Sequence, residues 1–99
     1  MTMYTINNQI KNQEYNGLQV NKLVRTDSFE ILNISLEQGA IFPEHIALTD
    51  AELIVLEGEI LFHINGKSYL IKEQQHFSFP KEMPHWVSAE ENSKFLIIR

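Results

Sequence analysis

The stretch AELIVLEGEILFHINGKSYLI, from Ala51 to Ile71, constrains this chain more than any other. Leu53 to Leu56 form a continuous apolar run and Gly58 breaks it. Ile60, Phe62 and Ile64 then alternate with Leu61 and His63 at the two-residue period of a strand with one inward face. Asn65-Gly66 follows, and these residue types accept the positive φ values of a two-residue hairpin turn. The ladder resumes at Tyr69 and Ile71. The spacing predicts an antiparallel hairpin pivoting on Asn65-Gly66.

Other strands are legible on the same grounds. In FEILNISLEQG, Leu32, Ile34 and Leu36 alternate with Ile31, Asn33 and Ser35, which predicts a strand with one buried face, and Gln38-Gly39 offers a turn after it. Phe77 and Phe79 run up to Pro80, and KFLIIR makes a last strand. Helical spacing wins nowhere over a useful length. Short strands punctuated by Gly, Pro and Asn make an all-β sandwich or barrel, and closing the sheet leaves few exposed edges. Residues 1–24 differ: NNQIKNQEYNG is amide-rich, which suits an arm, while Leu18, Val20 and Leu23-Val24 could supply an edge strand.

Composition narrows the function classes. Ninety-nine residues make one domain with one modest core. The absence of cysteine excludes a disulfide framework, a thiolate zinc site, an iron–sulfur cluster and a cysteine nucleophile. A net charge of -5 with eight Lys plus Arg lacks the cation cluster that grips a phosphate backbone, so no nucleic-acid partner is expected. The opening MTMYTINNQIKNQEY has no basic-then-apolar signal pattern, and no segment reaches the roughly 18 apolar residues of a membrane span. A cytoplasmic protein with no membrane partner is the expectation.

Two segments carry a resemblance. Gly39, His45 and Gly58 fall on the spacing of the first cupin motif, and Pro80 and His85 on that of the second, so the chain resembles the small single-domain cupins over roughly residues 39–89. That resemblance implies the cupin double-stranded β-helix, a jelly-roll barrel. It also implies a metal held by three histidines and one glutamate, but here Ala47 stands at the second histidine position and Ala51 at the glutamate position. In the second motif Gln74, Glu82 and Ala89 depart from glycine, glycine and asparagine.

The candidate site is therefore His45 and His85, facing one interior. Either no metal is bound, or a divalent transition metal is held by these two with a further group. A one-residue slip turns a strand side chain to the opposite face, so Glu52 could join them only through a bulge or shortened loop, while Asp50 in the preceding loop is freer to swing in and Glu44 is a further candidate. Phe62, Phe77 and Phe79, with Phe42 and Tyr69, could narrow an apolar pocket, although aromatic residues on half-buried strands are usually packing. His63 should point outward, His76 should meet solvent, and Trp86 alternates to the face opposite His85, as a core or dimer-interface residue. Glu82 implies a turn that needs no positive φ or tolerates strain, and Met83 could touch a ligand.

Three function classes follow. The first is a barrel binding a small organic ligand, with His45 and His85 as its convergent polar groups. The second is a metal-dependent enzyme of the dioxygenase, isomerase or decarboxylase kind, because two histidines and one carboxylate can hold non-haem iron. The third is a non-catalytic interaction module. The resemblance also implies a homodimer, since such an arm often pairs with a second subunit.

Overall fold

The computed structural model describes residues 3–99 and builds the Asn65-Gly66 turn with φ of 53° and 72°, the geometry the hairpin requires. That turn joins β5 (Glu59–Ile64) to β6 (Lys67–Lys72), paired without a break from Glu59↔Lys72 to Ile64↔Lys67. The remaining strands are β1 (Leu18–Arg25), β2 (Glu30–Leu36), β3 (Ile41–His45), β4 (Ala51–Glu57), β7 (His76–Phe79), β8 (His85–Ala89) and β9 (Ser93–Ile98), and α1 (Gln9–Asn12) is a single turn. They form two antiparallel sheets, ordered β1-β2-β9-β4-β7 and β3-β8-β5-β6.

Alternation decides what lies between the sheets. Leu32, Ile34, Leu36, Leu53, Val55, Phe95 and Ile97 point inward from the first sheet, and Ile60, Phe62, Ile64, Val87 and Ala89 from the second. Each larger side chain contributes roughly 1.5–3 kcal/mol by leaving water.

β2 departs from the expected single buried face. Asn33 and Ser35, on its outer side, are as fully buried as the leucines and isoleucine beside them. The cover is the N-terminal arm. Gln13 Nε2 lies within hydrogen-bonding distance of the Gln19 and Asn33 carbonyls and of Ser35 Oγ, at 3.0–3.1 Å. Lys94 Nζ, on neighbouring β9, donates to the carbonyls of Ile10 and Lys11 at 2.8 and 3.1 Å and sits over the Tyr15 ring. Tyr15 in turn donates to Glu57, and burial together with this contact pushes the phenol well above its ordinary range. A buried ammonium is tolerable only when its donors are met, and here backbone carbonyls meet them. The arm is thus a polar cap, and β1 is an edge strand paired with β2 of its own chain.

Three turns use left-handed backbone in different ways. Gly58 has φ of 82°, and a Cβ there would sit 2.4 Å from both the Asn92 carbonyl oxygen and Ser93 Oγ. Gln74 and Glu82, standing where cupins carry glycine, keep φ of 66° and 63°. The Glu82 turn therefore retains positive φ and bears its cost, on the order of 1–2 kcal/mol.

Gly58→Ala should destabilise the fold by roughly 3 kcal/mol or more, combining overpacking with backbone strain. Gly39→Ala, where a Cβ meets open space at φ of 83°, should show only the backbone part, about 1 kcal/mol. Urea midpoints of the two variants measure the contrast, and equal losses would refute it.

Candidate functional site at the barrel mouth

Both loops that carry the candidate residues cross between the sheets at one end of the barrel. Residues 46–50 lead from His45 to Ala51, and residues 80–84 lead from Phe79 to His85. They are tied together: the Glu82 N–H donates to the Ala47 carbonyl at 2.8 Å and the Lys81 N–H to Asp50 Oδ1 at 3.0 Å. Asp50 is therefore a loop clasp, a role for which the sequence pattern has no signal.

Beneath the clasp β3 and β8 bring the two histidines opposite each other, beyond a register shift in β3 between Phe42 and His45. The two rings are held alike. His45 Nδ1 lies 2.7 Å from the Pro43 carbonyl and His85 Nδ1 lies 2.8 Å from the Met83 carbonyl, each carbonyl two residues back. Their Nε2 atoms then converge at 3.1 Å. His85 is 1% exposed and His45 is half-buried. Phe42 stacks on His45 at 4.4 Å, and Phe62 and Phe79 pack on His85 with centroids at 5.2 and 4.7 Å. Burial pushes the His85 pKa below its ordinary value, helped by the nearby His45 and Arg99 and opposed by the Met83 carbonyl.

The other candidates separate. Glu52 faces away from the interior, where His76 Nε2 lies 2.9 Å from its carboxylate and Ser78 Oγ donates to the same oxygen. The ladder runs unbroken through Ala51, Glu52 and Leu53, so no bulge turns Glu52 inward and it is not a ligand beside the histidines. His76 is exposed, as expected. His63 lies on the outer face, bonded to Ser68 and Ser88, and Trp86 stacks on it at 3.6 Å instead of entering the core.

The donor set does not fit the metal that the cupin pattern implies. Ala47 and Ala51 are 2% exposed and fill the places of the missing histidine and glutamate. Among the described residues no third histidine or carboxylate joins a ligand group. Two imidazoles at 3.1 Å could touch one ion at about 2.0–2.1 Å, but its full charge would face phenylalanine walls with no carboxylate to offset it.

Phe77 and Phe79 do line an open space. A cleft of about 320 Å³ lies beside the histidines, walled by Ile64, Tyr69, Phe77, Phe79, Pro80 and Met83, with Asn65 and Ser78 as polar groups. Phe62 is wholly buried and tilts against both phenylalanines, so it backs the cleft and does not line it. The hairpin turn contributes Asn65 to this wall, which period-two counting does not reveal.

His85 makes stability pH-dependent. Its folded pKa is depressed, so the unfolded chain binds the proton more readily, and stability falls as pH drops below the ordinary histidine value of 6.5. Glu30 and Glu52, also depressed, act only below about 4.5. Between about pH 7 and 5 the wild-type urea midpoint should decline, and the decline should shrink in His85→Asn. An equal slope in both proteins would remove this account.

A family described as the cupin domain, Cupin_2, matches residues 33–98. An RmlC-like cupin from Desulfovibrio desulfuricans superposes with a TM-score of 0.85 at 20% identity, covering 97% of this chain and 95% of that one. The conserved SPY1581 protein of unknown function from Streptococcus pyogenes gives 0.82 at 22% identity, over 99% and 87%. A cupin 2 conserved barrel protein from Leptotrichia buccalis is 31% identical with a TM-score of 0.82, over 89% of this chain and 44% of its own. No curated protein matches the chain.

Proposed function

This chain belongs to the cupin family, and from that premise we propose that it binds a small, largely apolar organic molecule at the barrel mouth. The observation that carries the reading is the cleft of about 320 Å³, whose walls are mainly aromatic and aliphatic with Asn65 and Ser78 as polar groups. Binding sites for small molecules have this composition and begin at about this size. The barrel axis itself does not offer the space, because Phe42, Phe62 and Phe79 pack against the histidine pair. The ligand therefore sits beside the pair.

The cleft also has a defined back wall. Phe62, Phe77 and Phe79 pack ring against ring at 4.8–6.3 Å, and Tyr69 extends the cluster to the edge strand β6. Such aromatic surfaces favour a flat or branched apolar body, and ring pairs add about 0.5–1.5 kcal/mol beyond their area. Met83 lies on the opposite loop and its flexible thioether can adapt to the occupant.

Backbone amide NMR with a panel of aromatic and aliphatic fragments tests this. The expected result is fragment-induced shifts centred on Asn65, Tyr69, Phe77 and Met83, weakened at least about tenfold in Met83→Trp, which fills the cleft. Shifts centred elsewhere on the barrel, or none with any fragment at millimolar concentration, would refute the reading.

A further inference from the structure

We infer that the outer face of the second sheet carries a further subsite, adjoining the apolar cleft, that takes a neutral polyhydroxylated group, so that the molecule suited to this end of the barrel is a small glycoside: an apolar body joined through one oxygen to a sugar ring. This class rests on the cleft reading given above and supplies the ligand's polar end.

The subsite is built on one transverse row of residues. His63 on β5 stands between its two register partners, Trp86 on β8 and Ser68 on β6. Its Nδ1 lies 2.7 Å from Ser68 Oγ and its Nε2 3.0 Å from Ser88 Oγ, so the ring is fixed at both nitrogens. The indole of Trp86 lies flat against it, with 11° between the planes. On the edge strand β3, Pro43 and Glu44 together oppose Trp86 alone, between the pairs Phe42↔Val87 and His45↔His85. A bulge of this kind re-aims a side chain. Glu44 here joins Lys67, from the opposite edge of the sheet, in lining a cleft of about 490 Å³ over Trp86 and His63.

The lining selects the ligand. Glu44 only accepts hydrogen bonds and Lys67 only donates them, while Asn65 and Ser68 do both. Glu44 and Lys67 are exposed, and neither is in an ion pair among the described residues. A singly charged ligand group is attracted by one and repelled by the other. Hydroxyl groups donate and accept, and so satisfy both. Trp86, Pro84 and Met83 add apolar surface for the C–H face of a sugar ring.

The two clefts lie on opposite faces of the β5–β6 hairpin, because Ser68 pairs with outward His63 and Tyr69 with inward Phe62. They meet at the hairpin tip, where Ile64, Asn65 and Met83 line both. The link between a sugar and its apolar body is one ether oxygen, narrow enough to pass between the tip and the Met83–Pro84 loop.

Backbone amide NMR titrations of the full chain with phenol, phenyl β-glucoside, phenyl β-galactoside and phenyl phosphate test this. Phenol should shift only the apolar cleft, around Tyr69 and Phe77. At least one glycoside should bind about tenfold tighter than phenol, the worth of one or two hydrogen bonds, and add shifts at His63, Ser68 and Trp86. That gain should fall several-fold in Glu44→Ala and in Lys67→Ala, with phenol binding unchanged. Glycosides no tighter than phenol, phenyl phosphate as tight as the better glycoside, or a gain untouched in both variants would overturn the sugar subsite and leave the apolar cleft standing. Binding of none of the four would remove the cleft reading and the subsite together.

Discussion

Two backbone carbonyls, those of Pro43 and Met83, determine what the barrel mouth can do. Each captures the Nδ1–H of the histidine two residues later, and each thereby turns a bare Nε2 toward the same point. Had either ring been free to rotate, the pair could have settled as ordinary complementary tautomers. The clasp between the two loops, through Ala47, Asp50, Lys81 and Glu82, holds the loop that carries the Met83 carbonyl, while Pro43 lies within β3. Loop geometry and ring orientation are thus one linked constraint.

The opposite side of the first sheet solves a different problem by similar means. Asn33, Ser35 and Lys94 are polar residues on the outer face of central strands, and the arm covers them with backbone carbonyls and the Gln13 amide. Most of these groups are satisfied, although Asn33 Oδ1 is buried without a partner among the described residues. Among the described residues of the arm no apolar side chain is fully buried. Hydrogen bonds to groups that would otherwise be buried unpaired hold it, and leaving such groups unmet costs about 1–3 kcal/mol each.

Much of the fold was legible because its signals are local. Asn65-Gly66 specifies its turn through φ alone, and the alternation in Ile60, Phe62 and Ile64 specifies which side faces inward. The cupin spacing of Gly39, His45, Gly58, Pro80 and His85 correctly brought two histidines to one point. What escaped notice depended on contacts across the fold. Nothing near Asn33 in the sequence says that an arm 20 residues away will cover it. Glu52 was readable as outward from its place between Ala51 and Leu53, and the pairing with His76 and Ser78 confirms that alternation outweighed the attraction of a ligand site. Glu82 shows the converse, since a residue poorly suited to positive φ holds that conformation because the N–H it presents is needed by Ala47.

The orientation of the two rings is what the barrel mouth depends on, and neutron diffraction from perdeuterated crystals grown near neutral pD observes it directly. Deuterium on both Nδ1 atoms, facing the Pro43 and Met83 carbonyls, is the predicted result. Deuterium missing from either Nδ1 would contradict it.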